Sequence, residues 1–111
     1  MRVYVAGPYT KGDVVLNTRA AIEAGQTLLL AGHAPFVPHL THFWHLMFPG
    51  PYEQWLELDL AWLEVCEALI RLPGESSGAD GEVRRAIELK IPVYYSVGDF
   101  LHRPSRHGIE T

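Results

Sequence analysis

The residue best suited to covalent chemistry in this 111-residue chain is Glu82. It follows Leu72-Pro-Gly-Glu-Ser-Ser-Gly-Ala-Asp-Gly81, a glycine- and serine-rich turn. The apolar run Glu67-Ala-Leu-Ile-Arg-Leu72 before the turn reads as a buried strand, and Ala86, Ile87 and Leu89 after it extend a helical stripe. A strand, a turn and a helix start in that order leave backbone N–H groups free at the carboxyl edge of a sheet, where α/β proteins bind ligands. Ser76 or Ser77 can cap the helix, and Ser77 with Asp80 approximates a capping box. Glu82 then falls in the second turn, where the positive end of the helix dipole favours an ionised carboxylate. Such a group in a cleft can act as a nucleophile; on a surface it would only offset the dipole.

Asp59 is the second candidate. On a helix through residues 51–64, Trp55, Leu58, Trp62 and Leu63 share one face, and Asp59 lies within it. Burial there would raise its pKa and suit it to general acid work. At the rim of the stripe it would merely accept from a neighbouring backbone N–H. The third candidate is the run Pro38-His-Leu-Thr-His-Phe-Trp-His-Leu-Met-Phe48. Its His39, His42 and His45 are spaced so that neighbours can meet on a helix. Zinc held by two histidines and a carboxylate is conceivable, yet no His-Glu-x-x-His pattern is present. The reading therefore assigns no metal, and treats the run as a pocket wall or a subunit contact. The fourth is Gly7-Pro-Tyr-Thr-Lys-Gly12. It matches neither dinucleotide nor P-loop fingerprints, and suits a single phosphate or a sugar.

Composition narrows the function classes. A net charge of −4 and scattered arginines give no basic stripe for a nucleic-acid polymer. The single cysteine, Cys66, permits neither an internal disulfide nor a cysteine metal cluster, and reads as a core thiol in a reducing cytoplasm. No apolar run approaches the roughly 18 residues of a membrane span. The start runs directly into a strand, so no signal peptide is expected. The hydrophobic fraction of 48% suits one folded domain, placed at residues 1–102, with a polar and mobile tail over 103–111.

The elements that must position these residues follow in chain order. Arg2-Val-Tyr-Val-Ala6 is strand-like, with Val3 and Val5 on one face and Tyr4 and Ala6 on the other. Asp13 caps a helix that ends at Gly32, and Ala34-Pro-Phe-Val37 is a second strand. After the histidine-rich connecting loop, Pro51 opens a helix to about Glu64. The third strand, the serine-glycine turn and a helix to about Lys90 lead to a strand over 92–96 and a last turn over 97–102. The order predicts an α/β fold: a small doubly wound parallel sheet, flavodoxin-like or Rossmann-like, with helices on both faces.

Together, Val3-Tyr-Val-Ala-Gly7, Asp59-Leu-Ala-Trp-Leu63 and Ser76-Ser-Gly-Ala-Asp-Gly-Glu82 followed by Ala86 resemble the nucleoside 2-deoxyribosyltransferase superfamily, which includes 2-deoxynucleoside 5-monophosphate N-glycosidases. The resemblance covers residues 2 to about 95 and rests on the order and separation of the motifs. It implies that Glu82 attacks the anomeric carbon, that Tyr4 orients Glu82, and that Asp59 stands beside the leaving base. Ser76, Ser77 and Gly78 would meet a 5-phosphate, and Gly7, Pro8 and Tyr9 would meet the substrate from the first loop. His39 and His42 fall where the family shapes its base pocket. The first loop carries no arginine, and Lys11 is its one cation.

The implied activity is hydrolysis or transfer at the N-glycosidic bond of a nucleoside or its 5-monophosphate, with no metal or organic cofactor. Two other readings stand beside it: a non-catalytic nucleotide-binding module, and a metal-dependent hydrolase built on His39, His42 and His45. The resemblance also suggests a homodimer or homotetramer. Trp44, Phe43, Phe48 and Trp55 are then expected at or near the interface.

Overall fold

Alternation in Arg2–Ala6 builds two cores at once. This first strand, β1, buries Val3 and Val5 on one face and Tyr4 and Ala6 on the other. The computed structural model describes residues 1–104. Its elements are β1, α1 (Val14–Leu30), β2 (Ala34–Phe36), a 3-10 turn (Pro38–Leu40), α2 (Thr41–Met47), α3 (Tyr52–Leu63), β3 (Ala68–Arg71), α4 (Ser77–Glu88), β4 (Val93–Tyr94) and α5 (Val97–Leu101). The four strands are parallel in the order β2-β1-β3-β4. The expected doubly wound α/β sheet is therefore what forms.

One face carries Val3, Val5 and Ile70 against Ala21, Ala24 and Leu28 of α1 and Phe100 of α5. The other carries Tyr4, Ala6 and Leu69 against Leu63 of α3 and Ala79 and Ala86 of α4. Cys66 belongs to this second core, and burial pushes its thiol up to about 11. The Asp13 carboxylate caps α1, accepting from the Val15 and Leu16 N–H groups at 2.9 and 3.0 Å. Gly32, at φ +89°, follows the helix end in the left-handed conformation that glycine adopts without strain.

The departures from the expected elements are local. The segment 38–48 is not a loop. Pro38 starts a 3-10 turn, and α2 continues it to Met47, with the Phe48 N–H closing on the Trp44 carbonyl at 2.9 Å. The last strand is only two residues long. Its register with β3 ends at Tyr94, and Ser96 instead caps α5 by accepting from the Asp99 N–H at 2.9 Å. The expected mobile tail falls mostly on 105–111, outside the described residues. Its first residue, Arg103, donates to the Phe100 carbonyl at 2.9 Å and lies over the Phe100 ring.

Strand order fixes where a ligand can sit. From β1 the chain moves outward to β2, then returns to the opposite side of β1 for β3. The two loops leaving β1 and β3 therefore diverge, and doubly wound sheets open a crevice at this reversal.

Candidate active site

A cavity of about 650 Å³ occupies that crevice, within the usual range for small-molecule sites. The loop after β1 lines it with Gly7, Tyr9, Thr10 and Lys11; the turn into α4 lines it with Glu75, Ser76, Ser77 and Gly78. Tyr52, Trp55, Leu56 and Asp59 of α3 form a wall, while His39, Thr41 and His45 reach it from the histidine-rich segment. Glu82 is at the base.

The two loops are held together by small residues. A Cβ on Gly74, which sits at φ +116°, would lie 2.7 Å from Pro8 Cγ. Only glycine permits both that φ and that approach. Arg71, the last residue of β3, stiffens the same turn. Its guanidinium donates to the Gly74 carbonyl at 2.9 Å and to Asp80 Oδ1 at 3.0 Å, and also to the Leu72 carbonyl. Asp80 therefore does not complete a capping box with Ser77. Ser76 is the cap, accepting from the Ala79 N–H at 3.1 Å, and Ser77 is the first helical residue.

Glu82 is 8% exposed, so it is no surface glutamate. The fully buried Tyr4 hydroxyl donates to its Oε2. Burial pushes the Glu82 carboxyl up to about 7, with the Tyr4 hydrogen bond and the Arg71 charge pulling the other way. Burial at the second turn thus raises the carboxyl, whereas the helix dipole alone was expected to favour its ionised form. Burial, then the Glu82 and Asp59 charges, hold the Tyr4 phenol far above its ordinary range, so it stays a donor.

Asp59 accepts no backbone N–H among the described residues. Its Oδ1 is buried without a partner, and burial together with the Glu82 charge pushes it up to about 7. Burial thus raises both carboxyls, and the Glu82 charge further opposes ionisation of Asp59.

The histidines do not converge. His39 Nε2–H donates to the Pro8 carbonyl at 2.8 Å, leaving a buried Nδ1 without a partner. Burial lowers its pKa, opposed by its hydrogen bonding to the Pro8 and Gly7 backbone. His42 Nδ1 accepts from the Tyr9 hydroxyl and lies outside the cavity lining, in a groove against α1. His45 turns to Trp55 and Gly50. The zinc arrangement weighed from their spacing fails because each ring is committed to a different partner, and no metal-holding cluster forms among the described residues.

Of the residues singled out from sequence, Glu82, Asp59, Gly7, Tyr9, Ser76, Ser77, Gly78 and His39 all border the cavity. Tyr4 acts beneath it through Glu82, and Pro8 through its carbonyl. Sequence reasoning missed Arg71, Tyr52 and the role of His45. Arg71 had a signal, as a guanidinium inside an otherwise apolar strand.

This fold is of the nucleoside deoxyribosyltransferase kind. A solved 2-deoxyribosyltransferase from the psychrotolerant bacterium Bacillus psychrosaccharolyticus is similar, with a TM-score of 0.60 and 19% identity, covering 84% of this chain and 69% of that one. At that identity the likeness speaks for the fold. No curated protein matches. Over residues 1–96 the chain matches, and belongs to, the DUF7768 family, a domain of unknown function.

Proposed function

We propose that this protein cleaves the N-glycosidic bond of a nucleoside or nucleoside 5-monophosphate, passing the sugar to water or to a second base through a glycosyl-enzyme on Glu82. The observation that carries this reading is the buried Glu82 carboxylate, oriented by the Tyr4 hydroxyl and faced by the unpartnered Asp59 at the bottom of one cavity.

The environments of the two carboxyls support a division of roles. Ionised Glu82 gains a phenolic donor and the nearby Arg71 charge, whereas the buried Asp59 Oδ1 gains no donor. With one proton between them, Glu82 is the carboxylate and Asp59 the acid. A Glu82 oxygen bonds to the anomeric carbon, the C–N bond breaks, and its electron pair leaves on the base, which takes the Asp59 proton. Water then attacks the same carbon, freeing Glu82; its proton returns to Asp59. This is the double displacement of retaining glycosidases, and it calls for no metal or organic cofactor. Ser76, Ser77, Gly78 and the Gly7–Tyr9 loop are assigned to the sugar and its 5-substituent, and His39 to the substrate as well. His42 supports the site through Tyr9.

The buried thiol of Cys66 suits a reducing cytoplasm, and no helix of the described residues is long and apolar enough to cross a membrane. We assign a homodimer or homotetramer. Phe43, Trp44, Met47 and Phe48 are exposed along and just after α2, and Phe48 is 70% exposed. Phe48→Ser is expected to shift sedimentation towards the monomer; a wild-type monomer at high concentration would refute the assignment.

The test of function is a turnover screen of nucleosides and 5-monophosphates, ribo and deoxy, with and without a free base. Base release abolished by Glu82→Ala is the expected result. Ligand binding without release would leave a binding module on the same fold.

A further inference from the structure

The ring of His45 is held in one tautomer. Trp55 Nε1–H points at its Nδ1 from 2.9 Å, and the Gly50 backbone N–H points at the same atom from 3.3 Å. Both are groups that only donate. Nδ1 must therefore be the bare, accepting nitrogen, and the ring proton is on Nε2. Nε2 has no hydrogen-bond partner among the described residues, and it is not among the buried polar atoms left without one. It is an N–H donor open to an incoming molecule.

His45 lines the cavity beside Trp55, and the two rings meet edge to face at 5.7 Å. His45 and Trp55 form an aromatic part of the lining that also includes the carboxyls of Asp59 and Glu82. Flat aromatic rings stack on aromatic walls. Trp55 stands four residues before Asp59 on α3, about 6 Å along the axis. A base stacked at this wall, its glycosidic nitrogen towards Asp59, spans that interval.

We propose that His45 Nε2–H donates to an acceptor on the nucleobase, a ring nitrogen or a carbonyl oxygen, and that Trp55 is the positioning residue that keeps the proton on Nε2. The inference rests on the glycosidase reading for the identity of the ligand. It adds a specificity contact: the site favours bases that present an acceptor at the edge facing α2 and disfavours those that present a donor there. As the C–N bond breaks, electron density moves onto the base, so the contact strengthens towards the transition state.

The test is 15N NMR of the histidine side chains in the Glu82→Gln chain, which holds substrates intact. The expected wild-type signature is a non-protonated Nδ1 and a protonated Nε2, moving towards a tautomer mixture in Trp55→Phe. Titration with 2-deoxyadenosine, 2-deoxycytidine and their free bases should shift the His45 Nε2 resonance. In a Glu82-intact chain, His45→Phe should lower kcat/KM at least tenfold, and His45→Gln, which still donates, should recover part of the loss. A protonated Nδ1, or an unmoved Nε2 with every base, overturns the proposal. The two readings fail separately. Turnover with an unmoved Nε2 sinks this contact alone. A shifted Nε2 without turnover sinks the glycosidase reading and keeps the contact.

Discussion

Replacing Glu82 by glutamine should make the protein more stable at alkaline pH while removing its activity. Folding carries the carboxyl from the 4.5 of a free glutamate up to about 7, chiefly by burial. Folded Glu82 therefore binds its proton more tightly than unfolded Glu82. Between the two values the folded state carries the extra proton, so stability falls as pH rises through this window. Above it the full cost stands: at about 1.4 kcal/mol for each pH unit, the rise from 4.5 to about 7 comes to about 3 kcal/mol. Glutamine keeps the shape and can still accept from Tyr4, but never ionises. It also relieves Asp59, which the Glu82 charge pushes up. Urea or thermal denaturation from pH 5 to pH 9 reads the difference. The expected result is near-equal stability at pH 5 and a gain of about 3 kcal/mol for the variant at pH 9, on the order of 10 °C in Tm for a domain of this size. Parallel curves would refute the reasoning, since they would mean that Glu82 titrates alike in both states. So would an equal gain at pH 5, which would point to packing rather than charge.

Three further outcomes follow from the same geometry. Tyr4→Phe removes the hydroxyl that stabilises ionised Glu82, so the acid limb of the kcat/KM profile should move to higher pH; an unmoved limb would show that Tyr4 does not tune the nucleophile. Asp59→Asn should lower kcat by roughly 100-fold or more for ordinary bases and far less for a base that departs without protonation; an equal loss on both would remove Asp59 as the acid. Gly74→Ala should cost about 1–3 kcal/mol of unfolding free energy, because alanine is strained at φ +116° and its Cβ meets Pro8 at 2.7 Å. An unchanged urea midpoint would mean that the two loops are not locked together there.

The fold was legible because its signals are local. Alternation along Arg2–Ala6 announces two buried faces, and the Asp13 cap and Gly32 stop bound α1 without reference to anything distant. Where signals conflicted, tertiary context decided. Residues 92–96 have strand composition, yet only Val93 and Tyr94 find partners on β3, and Ser96 caps α5. The run 38–48 is rich in aromatics that fit a loop over a pocket. Pro38 instead starts a turn that the following residues continue as helix, leaving no residue of α2 buried.

That Glu82, Asp59 and the serine-glycine turn border one cavity could be reached from sequence; their protonation could not. A helix dipole is a property of local structure, and from it Glu82 reads as an ordinary ionised glutamate. What decides its proton is burial by the surrounding elements, opposed by the Tyr4 hydroxyl on β1 and the Arg71 guanidinium at the end of β3, and its charge in turn acts on Asp59 of α3. These residues lie 78, 11 and 23 positions away in the chain, and none announces the others. The same holds for His45, whose spacing from His39 and His42 suggested a shared metal. Its tautomer is set by an indole ten residues ahead and a backbone N–H five ahead. Spacing on one element shows which side chains can meet. Which of them hold a proton depends on which donors the fold brings from elsewhere. In the proposed mechanism that choice would separate an acid from a nucleophile, and in the proposed base contact it would give His45 its donor.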